Sequence, residues 1–167
     1  MEFRELAGKL KESFGSSIGQ VVEAGTFPHV VIENDALKQV LSFCSHDSAL
    51  RMDFLDCMTG VDTGQDIVII YQLFSTQFSH SLCLKVAVSR HSPKLASATG
   101  FWRAANAYEL EIAEMFGVVF EGHPNPRPLL LPENWQGNPL RKDYVYPEEY
   151  RGIEHRREHL RKEHAKP

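Results

Sequence analysis

The residues best suited to chemistry lie in the last third of the chain. His155, Glu158 and His159 follow the order H-x-x-E-H, the spacing of one zinc-enzyme motif. Two histidines make a metal site only where a packed scaffold holds them and a third ligand completes the shell. This pattern sits in a charged tail nearly devoid of apolar residues beyond Ile153 and Leu160, so no metal site is expected from it. Cys44, Cys57 and Cys83 are widely spaced and include no C-x-x-C pair. An iron–sulfur cluster usually takes four thiolates, so these three are read as buried free thiols. No G-x-x-x-x-G-K-[ST] or G-x-G-x-x-G loop is present to cradle a phosphate. Arg156, Arg157, Arg161 and Lys162 alternate with Glu154, Glu158 and Glu163, and the net charge is −4, so nothing points to nucleic acid.

Glu109, Glu111 and Glu114 are the most informative charges. None has a Lys or Arg three or four residues away on the same helix. Glu114 also stands near a helix C-terminus, where the dipole disfavours it by a few tenths of a kcal/mol, up to about 1 kcal/mol. Paired carboxylates can do general acid–base work. Here they come with no nucleophile, no convergent histidine and no Gly-rich pocket, so catalysis is not expected. Two readings remain. Either the glutamates form a solvated face, or they meet cations supplied by Arg127, Arg141 and Lys142 downstream or by a partner. Leu110 interrupts the polar side, which suits a contact surface better than free solvent. His123, in Gly122-His123-Pro124, is read as a structural hydrogen-bonding residue.

The elements that must position these residues follow from periodicity. Phe3, Leu6 and Leu10 mark a short amphipathic helix over Glu2 to Phe14, stopped by Gly15. Val21 to Glu33 reads as two extended segments broken near Gly25 and Pro28. Asn34 or Asp35 is expected to cap a helix carrying Leu37, Val40, Leu41 and Cys44. Strands are expected over Met52 to Met58, Ile67 to Phe74 and Leu82 to Val88. The first of them should be ended by Thr59, Gly60 and a polar turn over Asp62 to Asp66. In the third, Leu82, Leu84, Val86 and Val88 alternate with their neighbours and should face the core. Short links make these strands antiparallel neighbours. A helix from about Trp102 to Phe116, ended by Gly117, carries a core stripe of Phe101, Ala105, Tyr108, Ile112, Met115 and Phe116 within an arc of about 100°. The expected fold class is α+β: an antiparallel sheet with helices on one side, over residues 1–120.

Beyond it the composition changes. Pro124, Pro126, Pro128, Pro132, Pro139 and Pro147 exclude a regular element. Yet Leu129, Leu130, Leu131, Trp135, Leu140, Tyr144 and Tyr146 are apolar or aromatic residues that a disordered linker would lack. Residues 121–147 are therefore expected to form an extended C-terminal arm that lies on another surface. Residues 148–167 form a charged tail, solvated as a helix or frayed. No apolar run approaches the roughly 18 residues a spanning helix needs, so membrane attachment would come through a partner.

The run from Tyr108 to Tyr144, YELEIAEMFGVVFEGHPNPRPLLLPENWQGNPLRKDY, resembles the signature of the thirty-kilodalton subunit of NADH–quinone oxidoreductase, respiratory complex I. That pattern is an E-R-E-x-x-[DE] helix, then F-G, G-H-P and P-L-R-K-D-[FY]. Glu109, Glu111 and Glu114 match the helix. Phe116 and Gly117, then Gly122, His123 and Pro124, then Pro139 to Tyr144 match the rest. One position departs: Leu110 stands where the family usually has Arg, which removes one charge-assisted contact. The resemblance spans about Val21 to Tyr150. It implies a structural or assembly subunit of the peripheral arm, with no catalytic residue and no cofactor of its own. NADH, quinone and iron–sulfur clusters would belong to other subunits. The partners implied are the large quinone-site subunit and neighbouring iron–sulfur subunits, on the cytoplasmic side of the cell membrane. The partner interface would include Glu109, Leu110, Glu111, Glu114, His123, Arg127, Trp135, Arg141, Lys142 and Asp143. Membrane-bound energy-converting nickel–iron hydrogenases, formate hydrogenlyase and F420H2 dehydrogenase have an equivalent subunit, and they remain the alternative.

Overall fold

Strand burial with a period of two sets the architecture. In the computed structural model, which describes residues 1–154, three helices and a five-stranded sheet share one core. The chain runs α1 (Phe3–Phe14), β1 (Ile18–Val22), β2 (His29–Ile32), α2 (Leu37–His46), β3 (Phe54–Asp62), β4 (Asp66–Ser75) and β5 (His80–Ser89). It continues through β6 (Lys94–Ala96), α3 (Ala105–Phe116) and β7 (Val119–Glu121). A two-residue pair, β8 (Glu149–Tyr150) and β9 (Ile153–Glu154), closes the described residues. The His155–His159 motif lies outside them.

The main sheet has the order β1-β2-β5-β4-β3. On β4, Ile67, Ile69, Tyr71 and Leu73 are buried, and on β5, Leu82, Leu84, Val86 and Val88. They join Leu6 and Leu10 of α1, Leu37, Val40, Leu41 and Cys44 of α2, and Ile112 and Phe116 of α3 in a single cluster. The helices thus pack on one face of the sheet. Successive side chains of a strand point to opposite faces, so the alternate residues form the sheet's other face.

Four expectations need correction. The sheet is mixed: β2 and β5 pair in parallel, while the other neighbours are antiparallel. Only β3, β4 and β5 are joined by tight turns. β2 reaches β5 through α2 and two strands, so no hairpin dictates its direction. Second, β3 does not stop at Thr59 and Gly60. It runs through Gly60 to Asp62, because α3 packs on that glycine. A Cβ there would lie 2.8 Å from Phe116 Cδ2 and 3.5 Å from Ile112 Cγ2. Third, α2 begins after a 3-10 turn (Asn34–Ala36) without a side-chain cap. The Asn34 amide instead donates to the Lys94 carbonyl (3.1 Å), tying α2 to β6. Fourth, α3 starts at Ala105, not Trp102. Trp102 lies in the preceding turns, buried, with its indole N–H on the Met52 carbonyl at 2.8 Å.

Between β7 and β8, residues 122–148 form no helix or strand, as the prolines require. Residues 149–154 form a short hairpin, where the sequence predicts a helix or a frayed end.

Two glycines give opposite expectations. Gly60→Ala should cost about 1–3 kcal/mol, because the added methyl overpacks against the Phe116 ring. Gly8→Ala, at an exposed position inside α1 with open space around it, should stabilise by roughly 0.5–1 kcal/mol. Urea unfolding of both variants measures the pair, and equal midpoints would contradict the packing of α3 on β3.

Candidate functional site

The family-like residues converge where α3 ends and the chain folds back over it. Gly117 closes α3 in the left-handed region (φ 75°, ψ 25°), donating its N–H to the Ala113 carbonyl. A Cβ at this position would stand 2.7 Å from Asn138 Oδ1. Asn138 packs there and donates its amide to the Glu114 carbonyl (2.8 Å), one of the helix's terminal acceptors. The Leu140 N–H reaches the next carbonyl, that of Met115, at 3.1 Å. The arm thus caps the C-terminus of the helix it follows.

Two carboxylates hold the arm. Glu114 accepts three successive backbone N–H groups, from Leu129 (2.6 Å), Leu130 (2.9 Å) and Leu131 (3.3 Å). Such charge-assisted bonds are stronger than neutral ones, and they offset the unfavourable position of Glu114 on the helix dipole. Asp62, buried at the end of β3, accepts from the Lys142 N–H (2.8 Å), the Gly64 N–H (2.8 Å) and the Arg90 guanidinium (2.8 Å). Arg90 bridges onward to Asp143 at 2.8 Å. Its own carbonyl accepts from the Arg141 guanidinium. Burial pushes the Asp62 carboxyl up, but the N–H donors and Arg90 outweigh it and bring its pKa down to about 2.

Several expected interface residues are therefore spent within the chain. Glu109 is buried, accepting from Ser97 Oγ (2.7 Å) and the Ala98 N–H (2.5 Å), and forms no salt bridge with Lys or Arg among the described residues. Burial raises its pKa, against the opposing pull of those two donors and of His123. Its position explains this: at 3.6 residues per turn, Glu109 falls at the edge of the core stripe, about 20° beyond Phe116. Leu110 is also buried, outside the main cluster and one turn before Glu114. An apolar residue suits that shielded position. Glu111 is exposed and unpaired among the described residues. Arg127, Arg141 and Lys142 form no salt bridge with the glutamates among the described residues, so the half of the cation reading that drew on the arm is not met. Glu114 is met by backbone N–H groups, Arg127 reaches only the adjacent Pro128 carbonyl (3.4 Å), and Lys142 contributes its main chain.

His123 marks the root of the arm. Its Nδ1 accepts the Asn125 N–H (3.2 Å) and its Nε2 lies 3.3 Å from the Asn106 carbonyl. Trp135, half-buried, packs on Tyr150 with ring centroids 5.3 Å apart. Asp62, Arg90, Ser97 and Asn138 belong to the site but carry no clear signal in the sequence. Asp62 reads there as a turn residue, and nothing local marks the other three. Among the described residues no cluster of His, Cys, Asp and Glu could hold a metal ion, and no helix is long and apolar enough to cross a membrane.

The fold is similar to that of the Nqo5 trypsin-resistant fragment (1-134), with a TM-score of 0.61 and 26% identity over 72% of this chain and 98% of that one. A chain of the membrane-bound sulfane sulfur reductase, an archaeal respiratory membrane complex, shares the fold at a TM-score of 0.64 and 20% identity over 85% of each. The chain belongs to the family of the 30 kDa subunit of respiratory-chain NADH dehydrogenase, whose model matches residues 30–150. An NADH-quinone oxidoreductase subunit of Chloroherpeton thalassium is 37% identical over 139 residues, 81% of this chain and 58% of that protein. The corresponding subunit of Roseiflexus sp. (strain RS-1) is 40% identical over 117 residues, 68% of this chain and 67% of that protein. The chain thus spans a little over half the length of the first of these relatives and two thirds of the second.

Glu114→Ala and Asp62→Asn should each free part of the arm. Limited proteolysis should then cut within residues 122–148 on the order of tenfold faster, with the melting of the α+β domain little changed in Glu114→Ala and lowered in Asp62→Asn. The lowered Asp62 pKa also fixes a sign. The folded state binds fewer protons than the unfolded one between about pH 4 and pH 2, so its contribution is complete above the unfolded pKa and is lost as pH falls towards about 2. Asp62→Asn should flatten that acid limb of the stability curve, and an unchanged limb would contradict the role given to Asp62.

Proposed function

We propose that this chain is a structural subunit of the peripheral arm of a proton-translocating NADH–quinone oxidoreductase. In this reading it packs against the large quinone-site subunit, on the cytoplasmic side of the membrane. NADH, quinone and iron–sulfur clusters are held by other subunits, and the chain contributes no catalytic residue. The observation that carries the reading is the family match over residues 30–150, which includes the whole clasp from Glu109 to Asp143. The site's chemistry supports it. The polar groups of α3 and the arm are largely used on their own backbone, which builds a shaped surface rather than a reaction centre. Leu130, Leu140, Val145 and Tyr146 of the arm are exposed, as are Glu111, Arg127 and Lys142. Apolar residues displayed on an ordered arm, rimmed by charge, are the usual anatomy of a protein interface. The identities of 37% and 40% to NADH-quinone oxidoreductase subunits favour this assembly over the hydrogenase-type one.

Affinity purification of the tagged chain under mild detergent should bring down a large subunit in stoichiometric amount. A large subunit with paired cysteine ligands for nickel would point to the hydrogenase-type assembly, and a free monomer would contradict both. Glu111→Arg should reduce the recovered partner several-fold while leaving the melting of the isolated chain unchanged.

A further inference from the structure

The sheet has a second face that the described residues leave uncovered. On β4 the outward row is Val68, Ile70, Gln72 and Phe74, each half-buried. Val61 and Phe54 of β3 pair with Val68 and Phe74 and are 44% and 48% exposed. Val31 of β2 extends the row across β5. A strand with one face in water alternates apolar with polar, whereas a strand covered on both faces is apolar throughout. Ile67 to Tyr71 of β4 is an unbroken apolar run, so its sequence is that of a strand covered twice.

The size of the face and its charge constrain the occupant. Strands about 4.8 Å apart and residues rising about 3.3 Å give this face on the order of 600 Å². That is close to the roughly 800 Å² one partner contributes to a standard interface. At its centre the row Val31, Lys85, Ile70 and Thr59 crosses four strands. Lys85 is half-buried there with no ion pair among the described residues. The nearest carboxylate in the outward row of β4 is Asp66, four residues from Ile70 at the end of the strand. A second copy docked about a central two-fold would bring two Lys85 ammonium groups together, which like-charge repulsion disfavours.

We infer that this face docks a neighbouring subunit through an apolar patch centred on a carboxylate that pairs with Lys85. The inference rests on the subunit reading above and adds to it a second contact surface, opposite the helices. An apolar neighbour excludes water from Val61, Val68, Ile70 and Phe74, and its carboxylate compensates the lysine that burial would otherwise strand.

Cys57 supplies a native reporter. It pairs with Gln72 on this face and is exposed, against the sequence reading of a buried thiol, because the alternation of β3 turns it away from the core; Cys44 and Cys83 are buried as expected. Maleimide labelling of the purified assembly should modify Cys57 on the order of tenfold or more slowly than labelling of the free chain. Lys85→Glu should lower recovery of the assembly by a similar factor, with the free chain melting as the wild type does. If the wild-type assembly is recovered and its Cys57 labels as fast as in the free chain, the inference is overturned and the subunit reading stands. Protected Cys57 together with normal assembly of Lys85→Glu overturns the carboxylate pairing. A wild-type homodimer that protects Cys57 makes a second copy the occupant and also overturns the inference. A wild-type chain that recovers no partner sinks the subunit reading and this inference with it.

Discussion

A proline-rich segment cannot satisfy its own backbone, and this molecule answers that constraint with carboxylates. Each N–H that finds no partner in a helix or sheet needs an acceptor when it leaves water. Glu114 and Asp62 provide those acceptors at two points along the arm, and the free carbonyls at the end of α3 take donors from Asn138 and Leu140. The arrangement depends on the core beneath it. α3 can place Glu114 beside the arm only because Ile112 and Phe116 lock it to β3, and β3 can deliver Asp62 only because Gly60 lets that helix approach.

The same clasp explains how a structureless segment can serve recognition. An arm that orders only on binding loses conformational entropy at that moment. An arm already held by its own domain has largely done so, and its remaining surface is presented in a fixed shape. The family signature then has a physical meaning. Of its acidic residues, Glu109 secures the turn before α3 and Glu114 secures the arm, while Glu111 is left facing outward. Its basic residues behave likewise: Arg141 and the main chain of Lys142 close the clasp around Asp62 and Arg90. Much of what resembles an interface motif is therefore internal scaffolding.

Periodic features are legible in the sequence. The alternation in Leu82 to Val88, the stripe of Leu6 and Leu10, the stop at Gly117 and the irregularity imposed by the prolines all describe the structure. What is illegible shares a cause. Arg90 lies 28 residues from Asp62 and 51 from Arg141, and no local pattern reveals that an edge strand will bring them together. The parallel pairing of β2 with β5 is non-local in the same way. Glu109 is a different case: its place at the edge of the core stripe is readable, but its charge suggests solvent or a cation. The buried acceptor role requires the turn at Ser97 and Ala98, which only the fold supplies.

Amide hydrogen exchange of the free wild-type chain tests the central claim most directly, because it reads the arm with no partner present. The N–H groups of Leu129, Leu130, Leu131 and Lys142 should exchange well more slowly than unstructured peptide at neutral pH, and that of Lys142 should lose its protection as Asp62 protonates in acid. Exchange of all four at peptide rates in the free chain, with protection gained only in an assembly, would contradict the account and return the ordering of the arm to its partner.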